Sequence, residues 1–127
     1  MIMRLLLRRD QRQGLLGKVV FTLSVRADLS QAERDAIVKY KLADCTLYTR
    51  EHVRVEEDSV KGIAKAWLKH ALNLTVQVKD LAHGKTIECK DILEMLAAEE
   101  QVKEAALAFG QMLRAASMFG GEEVVEV

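Results

Sequence analysis

The stretch from Asp91 to Met118 constrains this chain more than any other. Its residues Ile92, Met95, Val102, Ala106, Phe109, Leu113 and Ala116 recur mostly at spacings of three and four, the period of an α-helix. Asp91 stands three positions before Glu94, so a capping aspartate and a first-turn carboxylate both meet the positive end of the helix dipole. Gly120 and Gly121 supply a stop at the far end, because glycine turns left-handed without steric cost. The result is a helix of about seven turns with one apolar face. That face must be hidden, either by a sheet of the same chain or by a second molecule. Glu99 interrupts it, at a position that either sets register in a helix pair or lies at a solvated gap.

A helix this long needs a surface to lie on, and the first thirty residues provide strands. Over residues 18–26, Val19, Phe21, Leu23 and Val25 alternate with Lys18, Val20, Thr22, Ser24 and Arg26, which is a half-buried strand. Upstream, Met3, Leu5 and Leu7 oppose Ile2, Arg4, Leu6 and Arg8, and the intervening Asp10 to Gly17 holds two glycines, so the chain opens with a β-hairpin. Ser30 and Glu33 have the spacing of a capping box and start a short helix reaching about Leu42, with Ile37 and Tyr40 on its sheet-facing side. Residues 45–56, rich in Thr, Tyr and Val, read as one long or broken strand. Ile63, Trp67 and Ala71 recur every four residues and place a second helix over residues 60–72. Leu74, Val76 and Val78 then alternate, and after a turn at His83 and Gly84 the run Thr86 to Cys89 returns, which predicts a second hairpin.

These elements predict an α+β fold: an antiparallel sheet of two hairpins plus one further strand, covered by two short helices and one long C-terminal helix. The 127 residues contain no proline and no repeat, so residues 1–127 form a single domain, with 122–127 as a flexible or strand-like tail. Two cysteines, Cys45 and Cys89, lack CxxC spacing, and the apolar run at the N-terminus is too short for a signal-peptide core, so a reducing, cytoplasmic setting is expected. The longest stretches free of Asp, Glu, Lys and Arg, residues 70–78 and 105–113, are half of what a membrane span needs. Formal net charge is zero, yet residues 1–27 carry six basic groups against one acidic, and residues 91–127 two against eight. If those segments segregate in space, the surface has basic and acidic faces suited to a complementary protein.

Several motifs invite a chemical reading. Gly84, Lys85 and Thr86 match the end of a phosphate-loop pattern, but the earlier glycine it needs is Lys79, and Thr86 enters a strand where a helix is required. Gly14, Leu15, Leu16 and Gly17 have the GxxG spacing of KH loops, flanked here by strands instead of helices. Arg8, Arg9, Arg12 and Lys18 make that end basic, but no aromatic lies on the basic face to stack a base. Leu15 and Leu16 are apolar side chains on a loop, which mark a contact site unless the loop folds back over them. Cys89 precedes the cap of the long helix, where a dipole lowers a thiol's pKa, and His83 is on the same predicted hairpin; burial as a structural cysteine competes with that reading. His52, His70 and His83 have no metal-ligand spacing, and Glu99 and Glu100 point about 100° apart, so no metal site and no carboxylate dyad is expected. Trp67 with Lys61, Lys65 and Lys69 fits a helix on a membrane surface or one that covers a sheet.

The sequence therefore points to a non-enzymatic protein–protein interaction module or accessory subunit, without cofactor, whose partner is another protein or a second copy of itself. The expected contact residues are Leu15, Leu16, Arg8 and Arg12 on the hairpin and Val102, Ala106, Phe109 and Leu113 on the long helix. A nucleic-acid-binding protein using the basic hairpin is the first rival reading. A cysteine-dependent enzyme built on Cys89 and His83 is the second.

Overall fold

Alternation at the N-terminus becomes two ten-residue antiparallel strands in the computed structural model of the chain, which describes residues 3–48 and 74–127. Strand β1 (Arg4–Gln13) pairs with β2 (Val19–Asp28) from Arg4↔Asp28 to Gln13↔Val19. The turn is tighter than Asp10–Gly17. It comprises residues 14–18 and is closed by the Gly14 amide, which donates to the Lys18 carbonyl at 2.6 Å. Met3, Leu5, Leu7 and Phe21 pack against the interior, where Leu23, Val25 and Ala27 are buried, while Arg4, Leu6, Arg8 and Arg26 face outward and are exposed.

Helix α1 (Gln31–Lys39) starts at the expected capping box, with the Glu33 amide donating to Ser30 Oγ at 3.2 Å and the Ser30 amide donating to Glu33 Oε1 at 3.0 Å. It buries Ile37 and ends at Tyr40, two residues short of Leu42, because Lys41 turns left-handed at φ 56°. The strand expected over 45–56 is described only at β3 (Thr46–Tyr48), which pairs antiparallel with the two-residue β4 (Val76–Gln77). The remainder of that strand and the helix expected over 60–72, with Trp67, His52 and His70, lie outside the described residues.

The second hairpin does not form. The chain leaves β4 directly into helix α2 (Val78–His83), whose Val78, Leu81 and Ala82 are buried at the i, i+3, i+4 positions of a helix face. The alternation at Leu74, Val76 and Val78 is real but stops at Val78, where Asp80 captures the Gln77 amide at 2.9 Å and starts the helix. Strand β5 (Lys85–Cys89) consequently pairs with β2, from Phe21↔Cys89 to Val25↔Lys85, giving a three-stranded antiparallel sheet of order β1-β2-β5. Gly84 makes the corner with φ 102°, a conformation open to glycine and costly for any other residue.

Helix α3 (Ile92–Ser117) is one unbroken element of 26 residues, capped by Asp91, whose Oδ1 accepts the Glu94 amide at 2.7 Å. It lies against both sheets. The question of what hides its apolar face is answered within the chain: Met95, Ala98, Val102, Ala105, Phe109 and Leu113 pack into one core with Leu23, Val25, Leu81 and Ile87. Each large side chain so removed from water contributes about 1.5–3 kcal/mol. Ile92 is a departure from the expected stripe, since it is exposed at the first turn. The arrangement is an α+β fold with, among the described residues, two short helices and one long C-terminal helix.

Candidate functional site

Intramolecular packing consumes half of the residues expected to meet a partner. Val102, Ala106, Phe109 and Leu113 are buried against the protein's own sheets, so the single chain offers no exposed surface there. Leu15, Leu16, Arg8 and Arg12 have the opposite placement, all on the exposed hairpin.

The hairpin turn is a single tight coil over Leu15–Gly17. Leu15 is 92% and Leu16 96% exposed, so the loop does not fold back over them. Backbone conformation explains why. Leu16 has φ 65° and ψ 24° and Gly17 has φ 75°, so two consecutive residues at positive φ turn the chain from one strand to the next. A β-carbon in that region costs on the order of 1–2 kcal/mol, which glycine would avoid. The position thus carries a leucine that neither the turn nor the core requires. Val19, at the foot of the same turn, adds further exposed apolar surface.

Charge around this tip is less one-sided than its sequence. Arg8 Nε lies 3.0 Å from Asp10 Oδ2, and Arg12 Nη2 2.6 Å from Glu88 Oε1. Arg9 donates through Nε to Glu99 Oε1, and this hydrogen bond, with the carboxylate's charge, pushes the guanidinium pKa up further. Glu99 is only 4% exposed, so the interruption in the helix stripe is neither a solvated gap nor a helix-pairing position. It fastens α3 to β1. Of the basic side chains on the hairpin, Arg4, Lys18 and Arg26 have no carboxylate partner among the described residues, and of these only Lys18 adjoins the tip. The field available to attract a polyanion is correspondingly weak.

Cys89 and His83 differ sharply in burial. Cys89 is 2% exposed in the core, whereas His83 is exposed at the end of α2 and lines a cleft on the sheet's outer face. Loss of hydration pushes the thiol up to about 11, and the charges of Glu94 and Asp91 act in the same direction. The dipole of α3 does not overcome this, and the thiolate needed for nucleophilic chemistry is scarce near neutral pH. Among the described residues, no group of three or more His, Cys, Asp or Glu side chains is placed to hold a metal ion, and no helix is long and apolar enough to cross a membrane.

Sequence reasoning missed the Arg9–Glu99 attachment, whose partners are 90 residues apart with no local signature. Comparison with protein-family models, curated proteins and solved structures gives no match for this chain.

Proposed function

We propose that this chain is a non-enzymatic protein–protein interaction module that docks through the tip of its N-terminal hairpin. The observation that carries this reading is the display of Leu15 and Leu16 in solvent on a turn where Leu16 is held left-handed. An apolar residue kept at a strained, exposed position opposes stability and solubility alike, and such a conflict concentrates at binding sites. The partner is a protein with an apolar pocket for the two leucines and an acidic rim for Lys18.

Pull-down with the immobilised full chain from its native cell tests the proposal, with Leu15→Ser/Leu16→Ser and Lys18→Gln as variants. The double serine variant keeps the wild-type circular dichroism spectrum and loses capture of the partner at least ten-fold, while Lys18→Gln weakens it less. Leu16→Gly relieves the backbone and raises stability by up to about 1 kcal/mol, yet weakens capture. Undiminished capture by the double variant would refute the docking role of the tip. Light scattering on the purified chain separates a second copy from a different protein as the partner.

A further inference from the structure

The outer face of the three-stranded sheet holds a second site, independent of the hairpin tip. Register places Arg8, Ser24 and Thr86 in one row across β1, β2 and β5, because Arg8 pairs with Ser24 and Ser24 with Thr86. The adjoining row holds Leu6 beside Arg26, and Gly84 closes in on that residue: a β-carbon at Gly84 would lie 3.9 Å from the Arg26 Cβ and 3.6 Å from the Val25 carbonyl oxygen. Over these two rows lies an open cleft of about 420 Å³, within the range of small-molecule sites. Among the described residues its polar lining is Arg8, Arg26, Lys85, His83, Ser24 and Thr86, with no carboxylate.

The charges of that lining are incompletely balanced. Arg8 leans on Asp10 at 3.0 Å and Lys85 reaches Asp80 only at 3.9 Å, so both counterions sit outside the cleft, and Arg26 has no ion pair among the described residues. Arg8 and Arg26 are diagonal neighbours on paired strands, about 7–8 Å apart at their β-carbons. Both guanidiniums line the cleft, and an anion between them would offset their mutual repulsion. Beneath them, Ser24 Oγ and Thr86 Oγ1 are 3.3 Å apart, and either hydroxyl can rotate its proton outward onto an acceptor. Helix α2 turns its C-terminal end, the negative end of its dipole, toward this place, so an anion here is held by the basic and hydroxyl side chains against that small opposition. The following row, Asp10, Thr22 and Glu88, is acidic and ends the basic strip. A polyanion lying along the face would run into it, whereas a discrete anion would not.

We propose that this cleft binds a phosphate-bearing ligand. Its phosphoryl oxygens bridge the guanidiniums of Arg8 and Arg26 and accept from the Ser24 and Thr86 hydroxyls, Lys85 and His83 close the rim, and Leu6 receives the ligand's apolar part. Guanidinium forks and hydroxyls together match the several acceptor oxygens of a phosphomonoester better than a lone carboxylate. Gly84, Lys85 and Thr86 thus contribute to anion recognition through side chains and a tight corner, without being a phosphate loop.

Titration calorimetry on the full chain at low ionic strength, with glycerol 3-phosphate as probe, is the test for a soluble ligand. Co-sedimentation with phosphatidylcholine vesicles, with and without phosphatidic acid, is the test for a lipid headgroup. In whichever arm binds, binding is saturable, with Kd of about 1 mM or tighter for the soluble probe. Arg26→Gln weakens it at least ten-fold, Ser24→Ala/Thr86→Val several-fold, and Arg114→Gln, which removes the same charge from an exposed position on α3, leaves it intact. Binding of glycerol 3-phosphate assigns the site to a free phosphomonoester; binding of the phosphatidic acid vesicles alone assigns it to a headgroup. Absence of binding in both arms overturns the proposal. So does binding that Arg26→Gln and Arg114→Gln weaken equally, which would make it diffuse surface charge.

Discussion

Cys89 condenses the effect of packing on a single group. Removed from water at the end of β5, with Glu94 and Asp91 nearby, its thiol is raised from an ordinary value of 9.0 to about 11. Folding therefore favours the protonated thiol. Its contribution to stability is whole below about pH 9 and is lost as pH rises through 11, because across that window the unfolded chain releases a proton that the folded chain retains. The loss is on the order of 2–3 kcal/mol. Urea titrations at pH 8 and near pH 11 should accordingly show the stability gap between wild type and Cys89→Ala narrowing by that amount, and a gap that stays constant would remove the basis for the shift. Thiol reagents at neutral pH should label Cys45, which is partly exposed, well before Cys89. The buried state of Cys89 was legible in the sequence, since it occupies an alternating apolar position in Thr86 to Cys89. The partner of Glu99 was not, because no local pattern announces an ion pair formed across the whole chain.

Among the elements, the attachment of β1 to α3 yields an asymmetric prediction. Arg9 is half exposed and Glu99 is buried, so the two ends of their bond are not equivalent. Arg9→Met leaves a carboxylate buried without its cation and lowers the melting temperature clearly, whereas Glu99→Leu leaves a cation that turns to solvent and lowers it less. The double variant recovers most of the Arg9→Met loss. Equal effects of the two single changes in thermal melts would contradict this account. The hairpin, α1 and α3 could be read in advance because each is specified locally, by alternation between Val19 and Val25, by the Ser30 box and by the Asp91 cap. Helix α2 could not: it is six residues long, and its Val78 also completes the strand-like alternation of Leu74 and Val76. Nor could the pairing of β5 with β2, a choice between distant strands that depends on where α2 delivers the chain.

For the molecule as a whole, α3 is the element shared by both sheets, and Phe109 lies fully buried in the common core. Phe109→Ala should cost about 3–5 kcal/mol, a large part of the roughly 5–15 kcal/mol that stabilises a domain of this kind; urea unfolding followed by far-ultraviolet circular dichroism measures it, and a loss below about 1 kcal/mol would place Phe109 outside the core. The alternation of basic and acidic segments along the sequence finds part of its explanation here. Basic β1 meets acidic α3 at Arg9–Glu99, and Arg12 meets Glu88, so charge that suggested external faces is spent on internal fastening. One consequence is mechanical. Strand β5 reaches only to Phe21, so among the described residues the hairpin continues past it as a bare two-stranded ribbon. Such a ribbon is barely self-supporting. Any sideways pull on its far end acts as a torque with its fulcrum near Gln11 and Phe21, so the stiffness of the arm is set by where the third strand ends, some distance behind the leucines it carries.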